Sequence, residues 1–295
     1  MKLRKESEEI EEESEVMKAE EKREGVAVFF DLDGTLVALP SLERRFFRAL
    51  RYQRAIPARS YFLWLREALR LMPRGISTIL QANKMYLCGV QILNVCGHGD
   101  EDVSAWRKGG HQAKGQASAP PRRNPRLPVP AFFAQAIERV AWHARHGHEI
   151  VLISGTLEPL ARGAARAMEA ELAARGIRLT IRAIGTRLEE VDGRWTGRIL
   201  GEPMFGQAKS RAAKRLARRM RLDLGRCYAY GDSLTDRWLM ELVGRPAAVN
   251  PSASLARIAL ERGWPMLIWG GKGNQTQRRE VREEIKRREQ SNAIA

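Results

Sequence analysis

The chain has 295 residues, 44% of them apolar, and a formal net charge of +16. That length and apolar share suit one full α/β domain plus a smaller accessory domain, and they exclude a fibrous or wholly disordered chain. No stretch reaches the roughly 18 uninterrupted apolar residues of a membrane span, and the start, MKLRKESEEIEEESEVMKAEEKREG, has no apolar signal-peptide core, so a cytoplasmic address is expected.

Residues 1–25 carry ten Glu against six Lys or Arg. Such a segment buries too little apolar surface to order itself and reads as a disordered tail or a solvated helix. The rest of the chain is therefore more basic still, and a basic body draws anions such as phosphorylated metabolites, nucleic acid or anionic lipid. Order is expected from Val26, where VAVFFD is an apolar block ending in an acid, the mark of a buried parallel strand. Residues 41–95 place Phe46, Phe47 and Leu50, then Tyr61, Leu63, Leu65 and Leu69, at helical spacing. Pro57 and Pro73 cut this stretch into several short helices.

Residues 97–130 are rich in Gly, Pro and charge, and read as a loop or linker. Cys88 and Cys96 flank this region with His98 and His111, but the spacing fits no common zinc site. With Cys227 they make an odd, small number of cysteines, which argues against a disulfide framework. A helix is expected from Ala131 and a second buried strand over 149–154. Alternation then follows: a helix from Pro159 to Arg175, a strand LTIRAIGT, and a hairpin LEEVDGRWTGRIL turning at Asp192-Gly193. Beyond it come a basic helix near Ala208, strand RCYAYGD, helix TDRWLMELVG, strand PAAVN, helix SASLARIALERG and strand PMLIW. This order predicts a doubly wound, Rossmann-like parallel sheet with helices on both faces. The segment from Gly270 onward is charged and expected to fray.

Four groups of residues fall at strand ends or helix starts, where open α/β sheets place ligands. Asp31 and Asp33 lie in DLDGTL directly after the first strand. Two acids so close, followed by Gly, suit one group that attacks and one that moves a proton, although Asp-Gly is also a common turn pair. Ser154-Gly155-Thr156 offers a hydroxyl and backbone N–H groups near a helix start, an anion cradle. Lys209, near the start of the basic helix, can neutralise a phosphate as a point charge, with Lys214 as its competitor. Asp232 and Asp236, in GDSLTD, can complete an oxygen cage for Mg²⁺; Ser233 or Thr235 could equally cap the next helix.

In this order and spacing the four groups resemble the motifs of haloacid dehalogenase-type phosphatases: DxDGT, a Ser or Thr after the second strand, a Lys, and GDxxxD. The resemblance spans about residues 26–270. Together with DGRWTGRI, FGQAK, YGDSLTD and AVNPSASL it is similar to the phosphoserine phosphatase-like branch, subfamily IB. It implies a core of residues 26–36 and 149–270, a helical C1-type cap over 37–148 with its loop at 97–130, and a charged tail over 271–295. It also implies an Mg²⁺-dependent phosphomonoesterase. Asp31 would be the nucleophile and a metal ligand. Asp33 would be the general acid and base and would lend its backbone carbonyl to the metal. Asp232 would be a side-chain ligand and Asp236 a support of the metal shell. Ser154, Gly155 and Lys209 would hold the phosphoryl oxygens.

Charge explains why such a set is needed. A carboxylate approaching a phosphate dianion meets repulsion of about 4 kcal/mol per pair of unit charges at 4 Å and an effective dielectric near 20. Lys209 and a divalent cation offset it. The second acid, Asp33, favours phosphoryl transfer, because expelling halide from carbon needs no proton donor. In true phosphoserine phosphatases a Glu usually stands nine residues after the nucleophile; here that place is Pro40, with Glu43 nearby. The expected partner is a small phosphorylated substrate other than phosphoserine, acted on by a monomer or homodimer. Nucleic acid ends and a non-catalytic binding role are the rival readings.

Overall fold

The computed structural model describes residues 25–91 and 130–270. The acidic tail, most of the 97–130 loop with Cys96, His98 and His111, and the segment after Gly270 lie outside the described residues. The first ordered strand, β1 (Ala27–Phe30), is buried along its whole length. Three helices follow it: α1 (Leu42–Tyr52), α2 (Ala58–Leu71) and α3 (Ile76–Ala82). Pro57 sits just before α2, and Pro73 falls in the 3₁₀ turn Met72–Arg74 between α2 and α3. The two prolines break the stretch where their missing N–H and fixed φ require. A further 3₁₀ turn spans Met85–Leu87.

After residue 130 come α4 (Ala134–Arg145), β2 (Glu149–Leu157), α5 (Glu158–Ala173), β3 (Arg182–Thr186), and the hairpin strands β4 (Leu188–Val191) and β5 (Arg194–Ile199). Then follow α6 (Gln207–Met220), β6 (Tyr228–Gly231), the 3₁₀ turn Leu234–Asp236, α7 (Arg237–Met240), β7 (Arg245–Val249), α8 (Ala253–Arg262) and β8 (Met266–Leu267). The main sheet has the order β3-β2-β1-β6-β7-β8, and its pairs are parallel.

Alternation along the strands builds two cores, because successive side chains point to opposite faces. Val28, Phe30, Ile150 and Leu152 pack on one face with α4 and α5. Ala27, Phe29, Val151 and Ile153 pack on the other with α6, α7 and α8. The result is a doubly wound, Rossmann-like layer with helices on both faces. A third cluster joins Phe46, Leu50, Ile56, Leu87 and Val90 of the helical insert to Leu157, Leu160 and Trp195. Each fully buried side chain of this size contributes about 1.5–3 kcal/mol relative to exposure. Among the described residues no helix is long and apolar enough to cross a membrane.

Several expected bounds shift. Helix α4 was placed with the cap, which was expected to reach residue 148. Its Ala136, Ile137, Val140 and Ala141 instead pack in the same core as β1 and β2. Strand β2 was expected to end at residue 154 but runs on through Ser154-Gly155-Thr156 to Leu157, with its register against β3 broken between Ile153 and Leu157. The helix expected over TDRWLMELVG is only a 3₁₀ turn and the four residues of α7, with Asp236, the last residue of the turn, paired with Lys209. β8 keeps two residues of PMLIW. The hairpin turns at Asp192 (φ 48°) and Gly193 (φ 68°), two consecutive left-handed residues as a type I′ turn requires.

Candidate active site

Consecutive strands run outward from β1 in one direction through β2 and β3, and from β6 in the other through β7 and β8. The crevice between β1 and β6 is therefore the switch point where ligands of such sheets bind. Asp31 leaves β1 here, its N–H bonded to Tyr230 O at 2.9 Å. Gly34 turns the next loop with φ 91°, donating its N–H to Val37 O at 2.7 Å. A Cβ on Gly34 would stand 2.2 Å from Asp232 Oδ2. The DGT turn thus needs glycine both for its backbone and for the approach of the second acidic loop.

Lys209 reaches this point from the first turn of α6. Its Nζ donates to Asp31 Oδ1 and to Asp236 Oδ1, both at 2.5 Å, and all three side chains are buried. Lys214 is exposed on the same helix, so the open choice between the two lysines resolves to Lys209 as the one facing the acids. Asp31, Asp232 and Asp236 each present a carboxylate oxygen, all within 4.8 Å of one another. Asp236 is held by Ser233, whose N–H and Oγ donate to Asp236 Oδ2 at 3.0 and 2.7 Å. The cap reading of Ser233 and the acid-cluster reading of Asp236 are therefore one arrangement.

Three carboxylates and one ammonium in a buried space leave an excess of negative charge. Burial pushes Asp31 up to about 7, with Lys209 pulling the other way and Asp236 adding to the rise. Asp232 is driven well above the usual carboxylate range by burial, and then by Asp31 and Asp236. Burial opposes the charge on Lys209, but Asp236 and Asp31 outweigh it and raise its pKa. A hard, oxygen-preferring cation fits such a donor set.

Asp33 stands apart from the group of three. Its Oδ1 accepts from the N–H of Leu42, at the start of α1, at 2.8 Å. Burial pushes it up to about 6, the Leu42 N–H pulls it down, and Glu43 pushes it up again. Ser154 is buried in β2, its Oγ accepting from Thr156 N–H at 3.3 Å. A Cβ on Gly155 would meet the Phe205 ring at 2.2 Å.

Three sets of contacts around the site go beyond the motifs. Thr186 Oγ1 donates to Gly155 O at 2.8 Å and accepts from Met204 N–H, tying the second motif to the approach of α6. Asn250, buried with φ 43°, donates to Gly34 O at 3.3 Å and accepts from Trp269 N–H at 2.8 Å. Its signal was an Asn directly after the strand PAAV, since Asn tolerates left-handed backbone. Glu43 is claimed by Lys84 Nζ and by Tyr86 OH, the latter at 2.8 Å.

Comparison with known proteins agrees with this architecture. The sequence pattern of the haloacid dehalogenase-like hydrolases matches residues 102–241. Phosphoserine phosphatase SerB1 of Mycobacterium tuberculosis (strain ATCC 25618 / H37Rv) is 33% identical over 239 residues, 81% of this chain and 69% of that one. Histidinol-phosphatase of Neisseria meningitidis serogroup C (strain 8013) is 44% identical over 88 residues, 28% of this chain and 40% of that one. The crystal structure of a protein of unknown function from Bordetella pertussis Tohama I superposes with a TM-score of 0.53 at 28% identity, covering 83% of this chain and 99% of that one.

With carboxylates gathered at the switch point of a doubly wound sheet, the chain belongs to the haloacid dehalogenase-like hydrolases. Within them it is a phosphatase of the phosphoserine phosphatase-like branch.

Proposed function

We propose that this phosphatase hydrolyses a small phosphate monoester through a phosphoaspartate on Asp31, with Mg²⁺ bound. The observation that carries the reading is the buried cluster in which Lys209 bridges Asp31 and Asp236 beside Asp232. Asp31 and Asp232 would hold the cation together with the backbone carbonyl of Asp33, and Asp236 would support them. When bound, the cation supplies positive charge against the phosphoryl oxygens.

Asp31 Oδ would attack phosphorus as the bond to the leaving oxygen breaks. Asp33 would give its proton to that oxygen. Its pKa of about 6 suits both this step and the next, because an acid and base works best with a pKa near the operating pH. A water molecule would then lose its proton to Asp33 and attack phosphorus, breaking the bond to Asp31 and releasing inorganic phosphate. Lys209 would hold the charge of Asp31 and of the phosphoryl group throughout. Thr35 and Thr156 fit a phosphoryl cradle with Ser154 and Gly155: both hydroxyls are buried without a partner among the described residues.

The described part of the cap, residues 37–91, favours a leaving group without an ammonium. Among the described residues 37–91 the acids are Glu43 and Glu67, and both are engaged, by Lys84 with Tyr86 and by Arg70. Neither carboxylate is left to meet the amine of phosphoserine. The test is a panel of phosphomonoesters (serine phosphate, glycerol phosphates, lysophosphatidate, sugar phosphates, nucleotides) with Mg²⁺ or EDTA. Turnover should vanish with EDTA and fall by about 10³ or more in Asp31→Asn. Undiminished turnover in that variant would contradict the nucleophile assignment, and activity indifferent to EDTA would remove the metal.

A further inference from the structure

The insert that follows β1 keeps one side of its helices out of every described core. On α2, Ser60, Ala68 and Leu71 are buried, and Ser60 Oγ donates to Cys88 O while Trp64 O accepts from Asn83 Nδ2. That side faces the segment whose Lys84 and Tyr86 meet Glu43. The other side carries Phe62, Leu65 and Leu69, and the chain continues with Met72, Ile76 and Leu80. All six are more than half exposed, from 51% at Leu65 to 75% at Ile76. On α2 these residues recur at helical spacing and share a face. Left in water, an apolar patch of this size marks an interaction surface.

The charge around it decides the partner. Between residues 37 and 91 there are ten Lys or Arg and two acids, Glu43, which pairs with the buried Lys84, and Glu67. Arg59, Arg66 and Arg70 are exposed along the flank of the apolar stripe of α2, seven and four residues apart, with Arg70 bonded to Glu67. A second copy of this face would bring like charges together around the apolar contact, which opposes self-association. An anionic bilayer offers both things the face lacks, an apolar interior and negative charge at its rim. Interfacial helices have this composition, apolar on one face with arginine beside it.

We propose that the α2–α3 face docks on an anionic lipid membrane, lying in the interface with Phe62, Leu65, Leu69, Met72, Ile76 and Leu80 toward the acyl chains. Arg59 and Arg66 would sit among the phosphates. The insert would then stand between the bilayer and the catalytic loops.

Sedimentation of the full-length chain with vesicles tests this without any turnover, so the result is independent of the phosphatase reading. The chain should pellet with phosphatidylcholine vesicles containing phosphatidylserine and remain in solution with phosphatidylcholine alone. Phe62→Ser/Leu69→Ser should weaken partitioning at least about tenfold. Arg59→Gln/Arg66→Gln should weaken it about fivefold for each arginine. Circular dichroism of each variant shows that its fold is kept. Failure of the full chain to bind anionic vesicles would overturn the proposal. So would variants that bind as well as the parent, or light scattering that shows a dimer broken by Phe62→Ser/Leu69→Ser.

Discussion

Two lysines are buried to the same depth, each with a side chain 3% exposed, and they live in different surroundings. Lys209, at the carboxyl end of the sheet, bridges Asp31 and Asp236 with Asp232 beside them. Lys84, in the insert, meets Glu43, which also accepts from Tyr86. The second pair is balanced, one charge against one, so each partner's charge offsets part of the cost of burying the other. The first is short of positive charge; burial raises the pKa of Asp31 and Asp232, and the neighbouring carboxylates add to the rise. A deficit of that kind is a place for a cation and for chemistry, whereas a balanced pair is a way to close a small core. Perturbed groups gather at functional sites for this reason.

The largest expected effect breaks the first lysine. Lys209→Met leaves the buried carboxylates of Asp31 and Asp236 without their ammonium, and phosphatase turnover should fall by about 10³. The matching change in the insert, Lys84→Met, should leave the catalytic rate within about a few-fold. It should instead lower stability by about 3 kcal/mol, because Glu43 loses its partner. Adding Glu43→Gln should restore most of that loss, and urea unfolding of the single and double variants measures the coupling. Equal losses of activity in the two lysine variants would erase the distinction between a catalytic and a structural pair.

The two sites also differ in how far the sequence reveals them. DLDGTL, Lys209 and GDSLTD follow apolar strands or open a helix, so local pattern places them at the carboxyl end of a sheet. Lys209 is told from Lys214 only by which side of α6 packs inward, and in a helix this basic the charge pattern hides it. Asp236 joins Asp31 and Asp232 through a 3₁₀ turn, where a continuous helix was expected. Glu43 and Lys84 lie 41 residues apart and have no local signature, since each alone reads as an ordinary surface charge. Helix α4 shows the same limit for domains. Its apolar stripe says that one face is covered, and only the register of β1 against β2 shows that the sheet covers it. The hairpin turn at Asp192-Gly193 was legible because its backbone demand is local and few residues meet it.

A third buried group extends the comparison to a site built of aromatic rings and basic groups. His143 is fully buried on the α4 side of β6, its Nδ1 2.8 Å from His148 Nδ1 and its Nε2 3.1 Å from Tyr230 OH. Phe30, Trp142 and Tyr228 ring it, and the charges that act on it are His148, Arg139 and His146. Burial first, then those neighbours, lower its pKa to about 3. Where Lys209 keeps its charge by sharing acids, His143 gives its charge up.

The unfolded chain, with an ordinary histidine pKa near 6.5, binds the proton that the folded chain refuses. The stability this neutral histidine contributes is present above about pH 6.5 and is lost as pH falls toward 3, reaching about 2 kcal/mol of loss at pH 5. His143→Gln keeps a hydrogen-bonding side chain and removes the titration. Urea unfolding at pH 7.5 and pH 5 should therefore show a smaller acid loss in the variant, by about that amount. Parallel losses in the two proteins would mean that His143 is protonated inside the fold, and that burial beside cations is not enough to keep it neutral.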